Sequence, residues 1–223
     1  MRINQFLAHF TGLSRRQADK AIEQGRVKIN NQKADLGQKI KEADTVVVDE
    51  QIVSLGNYKY VLFHKPVGYV TSRSKQAKEK IIYDILPDTY KDLKPVGRLD
   101  KDTSGLLLLT NDGNYSEELM HPRNQKVKVY RLELNKIVDA SNLALIQGSG
   151  VELEDGISRM SVRSLSGTSP KYEIIITEGR NRQIRRTFEA LGYKVIKLHR
   201  TQFGDYKINS LKTGELKEVE KLF

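Results

Sequence analysis

The chain has 223 residues, long enough to bury a proper core in one or two domains. Its 38 Lys and Arg against 28 Asp and Glu leave a formal charge of +10, which favours an acidic partner, nucleic acid first and an anionic membrane second. There is no cysteine, so disulfides, Cys-based zinc sites and thiol nucleophiles are excluded together.

The histidines, His9, His64, His121 and His199, stand singly, and no metal site is expected from them. No apolar stretch is long enough to span a bilayer and the N-terminus lacks a signal-like apolar region, so a cytoplasmic protein with no membrane partner is expected.

Ile3, Phe6, Leu7 and Phe10 fall at helical spacing and predict an amphipathic helix stopped by Gly12. Ser14 to Gln17 has the S-x-x-Q form of a capping box, which opens a second helix with Ala18, Ala21 and Ile22 inside and Gly25 as its stop. Arg15 and Arg16 would sit in its first turn, where the macrodipole disfavours a cation by roughly 0.3–1 kcal/mol. An RNA phosphate there reverses the cost, and two merely solvated arginines are the alternative. Arg26 to Ile29 and Thr45 to Val48 read as short strands. The polar stretch 50–57 reads as a linker between domains 1–49 and 58–223.

Tyr60 to His64 alternates like a strand and runs into the turn Lys65-Pro-Val-Gly68, with a returning strand expected over Tyr69 to Thr71 and a solvated loop over Ser72 to Lys80. Pro95 to Gly113 is a glycine-flanked turn carrying Arg98, Asp100, Lys101 and Asp102, followed by the apolar run Leu106 to Leu109 and an Asn-Asp-Gly stop. Such a run reads as a fully buried strand, so charged residues at its entrance are held near a rigid core. Further on, Tyr115 to Met120 predicts a helix, Lys126 to Leu134 a strand with Tyr130 and Leu132 on one face, Asn142 to Gln147 a helix and Tyr172 to Ile176 a strand. Asn181 is the expected N-cap of a helix ending at Gly192, with Ile184, Phe188 and Leu191 on its buried stripe and Arg185 at the edge. Between Gly179 and Arg200 stand seven basic residues and one acidic, the densest positive patch of the chain. Many strands interleaved with a few helices make the expected class α+β.

Residues 1–49 resemble an S4 RNA-binding domain through Ser14-Arg-Arg-Gln-Ala18, Gly25-Arg-Val-Lys-Ile-Asn30 and Gly37. Nearly the whole chain resembles the RsuA/RluB-like rRNA pseudouridine synthases. Lys65-Pro-Val-Gly68, Gly97-Arg-Leu-Asp-Lys-Asp-Thr-Ser-Gly105, Lys128-Val-Tyr130, Gly150-Val-Glu-Leu-Glu-Asp-Gly156 and Glu178-Gly-Arg-Asn-Arg-Gln-Ile-Arg-Arg186 carry that resemblance in order.

The resemblance implies a mainly antiparallel mixed sheet crossed by an RNA cleft. The implied enzyme is a cofactor-free one that breaks the N1–C1′ bond of a uridine in ribosomal RNA and rejoins the uracil through C5. It implies Asp100 as the catalytic carboxylate, attacking C1′ or removing the C2′ proton, with Arg185 as its charge partner. Tyr130 would pack on the uracil and take the C5 proton or orient the group that does. Ile184 would wall the base pocket, and Arg98 would contact a phosphate or fill the space left by an extruded uridine. Arg15, Arg16, Lys20, Arg26, Lys65, Arg180, Arg182 and Arg186 are the expected RNA contacts, while Lys101 and Asp102 are expected to cap the turn or touch backbone. The Gly150 motif and the form of the last motif lean toward the large-subunit branch, and a monomer is expected. A non-catalytic S4-containing assembly factor is the alternative of another class. A glycosidase using Asp100 and Asp102 is disfavoured because residues two apart in a turn rarely face each other across a sugar.

Overall fold

The computed structural model describes residues 1–41, 43–53, 58–74 and 78–222. Helix α1 (Ile3–Phe10) and helix α2 (Arg15–Glu23) form over the expected spans. The Ser14 side chain accepts from Gln17 N and the Gln17 side chain accepts from Ser14 N, so two orphan donors at the start of α2 are satisfied reciprocally. Strands β1 (Val27–Ile29), β2 (Gln32–Lys33), β3 (Val46–Val48) and β4 (Gln51–Val53) make a sheet ordered β2-β1-β3-β4. Ile3, Phe6, Leu7, Ala18, Ile22, Val27 and Val46 pack into one small core under it.

Strand β4 corrects the reading of 50–57 as linker. Val46 to Val48 pair with Gln51 to Val53 across a two-residue turn in which Asp49 and Glu50 both have positive φ, 47° and 65°. The hairpin satisfies backbone groups that a linker would leave to water, and residues 54–57 lie outside the described residues.

The larger sheet starts with β5 (Tyr60–Lys65), β6 (Lys94–Val96) and β7 (Ser104–Thr110). After α3 (Gly113–Met120), β8 (Lys128–Leu134) and α4 (Ala140–Gln147) comes a hairpin of β9 (Val151–Leu153) with β10 (Gly156–Ser158). The chain closes with β11 (Ser161–Ser164), β12 (Lys171–Ile176), α5 (Gln183–Ala190), β13 (Val195–Phe203), β14 (Tyr206–Lys207) and β15 (Leu216–Val219). The order is β11-β12-β8-β13-β7-β5-β15, with β14 on β13 and β6 on β7. Only β13 and β7 run parallel among these pairs.

The run Leu106 to Leu109 is fully buried because both faces of β7 are covered. Leu107 and Leu109 face a core with Phe63, Tyr130 and Phe188, whereas Leu106 and Leu108 face one with Tyr115, Leu119 and Phe203. Its Asn-Asp-Gly end is also a start, since Asp112 accepts from Tyr115 N and caps α3. Two other expectations are corrected. Tyr69 to Thr71 form no strand, only a bridge of Val70 with Ile81, because the segment turns to hold the loop beside it. The N-cap of α5 is Arg182, in the left-handed region at φ 46°, rather than Asn181.

The small module sits against the sheet at α1. Lys94 Nζ donates to Ala8 O at 2.5 Å and Leu13 O at 3.3 Å, gathering carbonyls at the end of that helix. His9 is 6 % exposed and neither ring nitrogen has a partner. Burial, then the charges of Lys94 and Arg15, hold it below its ordinary 6.5, with Asp112 opposing. A depressed folded pKa makes this contribution to stability present above about pH 6.5 and lost as pH falls toward the folded value. The melting temperature is expected to drop between about pH 7 and pH 5, and His9→Gln to drop less. The remaining fall belongs to His199, which burial also holds low. An identical fall in the variant would refute the role of His9.

Candidate active site

The loop between β6 and β7 is held from below by Lys65. Its side chain is 0 % exposed, and Nζ donates to Pro66 O at 2.9 Å, Asp100 O at 3.1 Å and Thr103 O at 2.8 Å. Burial pulls this ammonium down to about 8, against the opposing charges of Asp100 and Asp102. Thr71 Oγ1 donates to Leu99 O at 2.7 Å, and Gly68 N donates to Lys101 O at 2.7 Å. Leu99 is 5 % exposed and anchors the loop in the core. With the backbone pinned on one side, the Asp100 carboxylate is left at the surface of a cleft, 34 % exposed.

This placement corrects the expectation of Lys65 as an RNA contact. A side chain spent on three carbonyls inside the protein does not reach a phosphate. The signal was available: the period of two that buries Phe63 also puts residue 65 on the core face.

The cleft has a volume of about 790 Å³. Asp100, Tyr130, Ile184, Arg185 and Arg98 all line it, so the residues implied by the resemblance come together. Tyr130 and Ile184 are 7 % and 4 % exposed, supplied by the buried faces of β8 and α5, and Arg98 is exposed.

The charge pairing differs from expectation. Arg185 does not meet the Asp100 carboxylate: its Nε lies 3.2 Å from Asp102 Oδ2, and its Nη2 donates to Asp102 O at 2.8 Å. Arg182 donates to the same carboxylate at 3.0 and 3.3 Å, and its contact with Asp100 is a long 3.9 Å. In the turn closed by Thr103 N donating to Asp100 O, both carboxylates come toward the same Arg182 Nη1, Asp102 at 3.0 Å and Asp100 at 3.9 Å, and Asp102 alone reaches Arg185. Burial pushes the Asp102 carboxyl up, but the Arg182 hydrogen bond and the charges of Arg185 and Arg182 outweigh it and hold it below the usual carboxylate range. Asp102 is thus no mere turn cap. It clamps the loop to α5 and leaves Asp100 the freer carboxylate.

The basic wall is also partly neutralised. Asp155, in the β9–β10 turn, accepts from Arg186 at 3.0 and 2.7 Å and from Arg180 at 2.9 Å, while Arg180 also donates to the carbonyls of Asp155, Gly156 and Ile157. Arg180 and Arg186 therefore hold the hairpin. Arg26 is paired with Asp49 at the surface. Arg15, Arg16 and Lys20 stay exposed on α2. Among the described residues no group of three or more His, Asp or Glu could hold a metal ion, and no helix is long and apolar enough to cross a membrane.

Comparison with known proteins agrees with this arrangement. Residues 59–190 match the sequence model of RNA pseudouridylate synthase, and residues 1–46 match that of the S4 domain. The chain is 35 % identical over 224 residues to the ribosomal large subunit pseudouridine synthase B of Bacillus subtilis (strain 168), covering 98 % of this chain and 91 % of that protein. It is 30 % identical to the dual-specificity RNA pseudouridine synthase RluF of Escherichia coli O157:H7, covering 98 % and 75 %. A crystal structure of a pseudouridylate synthase superposes with a TM-score of 0.67 at 31 % identity, covering 99 % of this chain and 96 % of the other. On the strength of two ordered sequence matches, near full-length relatives and a cleft lined by the motif residues, the chain belongs to the RNA pseudouridylate synthase family and carries an S4 domain ahead of the catalytic fold.

Proposed function

We propose that this protein isomerises a uridine of ribosomal RNA to pseudouridine, in the large-subunit rRNA, acting as a cytoplasmic monomer on an extruded nucleotide. The observation that carries the reading is the Asp100 carboxylate, open to a cleft on a loop pinned by Lys65, with Tyr130 and Ile184 lining the same cleft. Asp100 attacks C1′ or removes the C2′ proton, and in either case the N1–C1′ bond breaks. The uracil turns and C5 joins C1′ as the Asp100–C1′ bond breaks, or as the proton taken from C2′ returns there; Tyr130 takes the C5 proton or orients the group that does, and N1 ends protonated, so the sum is an isomerisation. Tyr130 packs on the ring and Ile184 walls the pocket. Arg98, exposed at the rim, contacts a phosphate or fills the space the uridine leaves. Extrusion costs a few kcal/mol, less for an unpaired base. Arg15, Arg16 and Lys20 of the S4 module repay part of it through phosphate contacts, with the module taken as 1–53 and the catalytic domain as 58–223.

The large-subunit preference draws on the name of the Bacillus subtilis relative and on the Gly150 to Gly156 motif, whose Asp155 shapes the α5 side of the cleft. Carbodiimide mapping of rRNA from a deletion strain and its parent tests it. One pseudouridine stop should vanish from the large-subunit rRNA. Loss from the small-subunit rRNA would redirect the substrate, and unchanged maps would overturn the reading.

A further inference from the structure

Arg200 and Lys128 are charges in the cleft that the reaction above does not use. Arg200 stands opposite Tyr130 in the β13–β8 register, and Lys128, two residues before Tyr130 on β8, stands opposite Phe203. Residues so paired point to one face, so both cations flank the tyrosine. A register shift between Arg200 and Gln202 marks a bulge, a device that re-aims a side chain beside a site.

Neither charge is neutralised by the protein. The Arg200 side chain is 2 % exposed; Nε donates to Leu106 O at 2.8 Å, and the buried Nη2 has no partner. Lys128 is half-buried, donating to Lys126 O at 3.3 Å and Thr177 O at 3.2 Å. The ring of Phe203 lies 5.0 Å from the Arg200 guanidinium and 5.7 Å from the Lys128 ammonium. Among the described residues neither makes an ion pair, and Glu178 is the one acid whose field opposes the burial of Lys128. Asp100, the other carboxylate lining the cleft, approaches Arg182 at 3.9 Å, and the neighbouring Asp102 is shared by Arg182 and Arg185.

The placement is built in. Gly105, the last glycine of the Gly97 to Gly105 motif, has φ 115°, and a Cβ there would lie 2.2 Å from Arg200 O and 2.5 Å from Arg200 N. Only glycine lets β13 run this close to the catalytic loop. Two desolvated cations side by side repel each other, and a neutral base supplies hydrogen bonds but no compensating charge.

We propose that Arg200 and Lys128 seat a backbone phosphodiester of the RNA beside Tyr130, gripping the strand next to the nucleotide on which Asp100 acts. The proposal rests on RNA being the substrate but not on which uridine is modified.

The test is the salt dependence of binding of the full-length protein to a large-subunit rRNA transcript and to poly(U), between about 50 and 200 mM salt. Arg200→Gln and Lys128→Gln should each weaken binding about tenfold and flatten the log–log slope by about one, while Arg200→Lys keeps the wild-type slope. Circular dichroism checks folding; if Arg200→Gln does not fold, Lys128→Gln and Arg200→Lys decide. Wild-type slopes in the Gln variants would overturn the seat. So would stabilisation of the RNA-free protein by inorganic phosphate with unchanged RNA slopes, which would assign the pocket to a free small anion. Because binding is read without turnover, flattened slopes in a protein that forms no pseudouridine would leave the seat standing and remove the proposed activity instead.

Discussion

Asp100→Asn is expected to fold like the parent protein and to lose pseudouridine formation by at least about 10³-fold, equivalent to about 4 kcal/mol of transition-state stabilisation. Asparagine keeps the shape of the side chain and removes its charge and basicity, so neither attack on C1′ nor removal of the C2′ proton remains open to it. Folding should not suffer, because the carboxylate is 34 % exposed and its one ion-pair contact among the described residues is the 3.9 Å approach of Arg182. The loop is held instead through backbone oxygens by Lys65, which the substitution leaves in place. Release of tritium from RNA labelled at uridine C5 reads the reaction directly, since forming the C5–C1′ bond expels that hydrogen. Equal release by both proteins, with matched melting curves, would remove Asp100 as the reacting group.

Arg185→Ala is expected to cost about 10²- to 10³-fold in turnover together with about 1–2 kcal/mol of stability. The stability loss stays at the lower end for a buried ion pair because the Asp102 side chain is 47 % exposed and keeps its bonds to Arg182. Turnover falls because Arg185 ties Asp102 O and the Asp102 carboxylate to α5 and thereby sets where the loop presents Asp100. Two routes of action separate in a double-mutant cycle. If Arg185 works through the clamp, Asp102→Asn is also damaging and the double variant is little worse than either, with a coupling of about 1–3 kcal/mol. If it acts on Asp100 directly, Asp102→Asn is mild and the effects add. Additivity would return Arg185 to the pairing first expected from its motif. Arg185→Lys should not rescue fully, since an ammonium cannot serve the carboxylate, Asp102 O and Val195 O from one fixed fork.

Much of the scaffold was legible in the chain. Helix α1, the Ser14 capping box, the buried strand at Leu106 to Leu109 and the strand bearing Tyr130 rest on short-range spacing, and a spacing is complete within its own segment. The ordered motifs likewise brought Asp100, Tyr130, Ile184 and Arg185 to one cleft. Strand β13 was not legible, although it is the longest strand described and lies between β8 and β7. Register shifts after Val195 and after Arg200 break its alternation, so no period of two survives to be read.

By itself, then, the sequence determined the helices and strands whose spacing is unbroken, which family the chain resembles and that an acidic partner is favoured. Those properties depend on local periodicity, composition and motif order. Only the tertiary structure decided that Asp102 rather than Asp100 takes Arg185, that Lys65 supports the catalytic loop from inside and that Asp155 occupies Arg180 and Arg186. It likewise decided that Arg200 and Lys128 line the cleft with no ion pair among the described residues. The reason is physical: an ion pair forms where a turn aims a carboxylate and a distant element delivers a cation, and no spacing along the chain encodes that meeting.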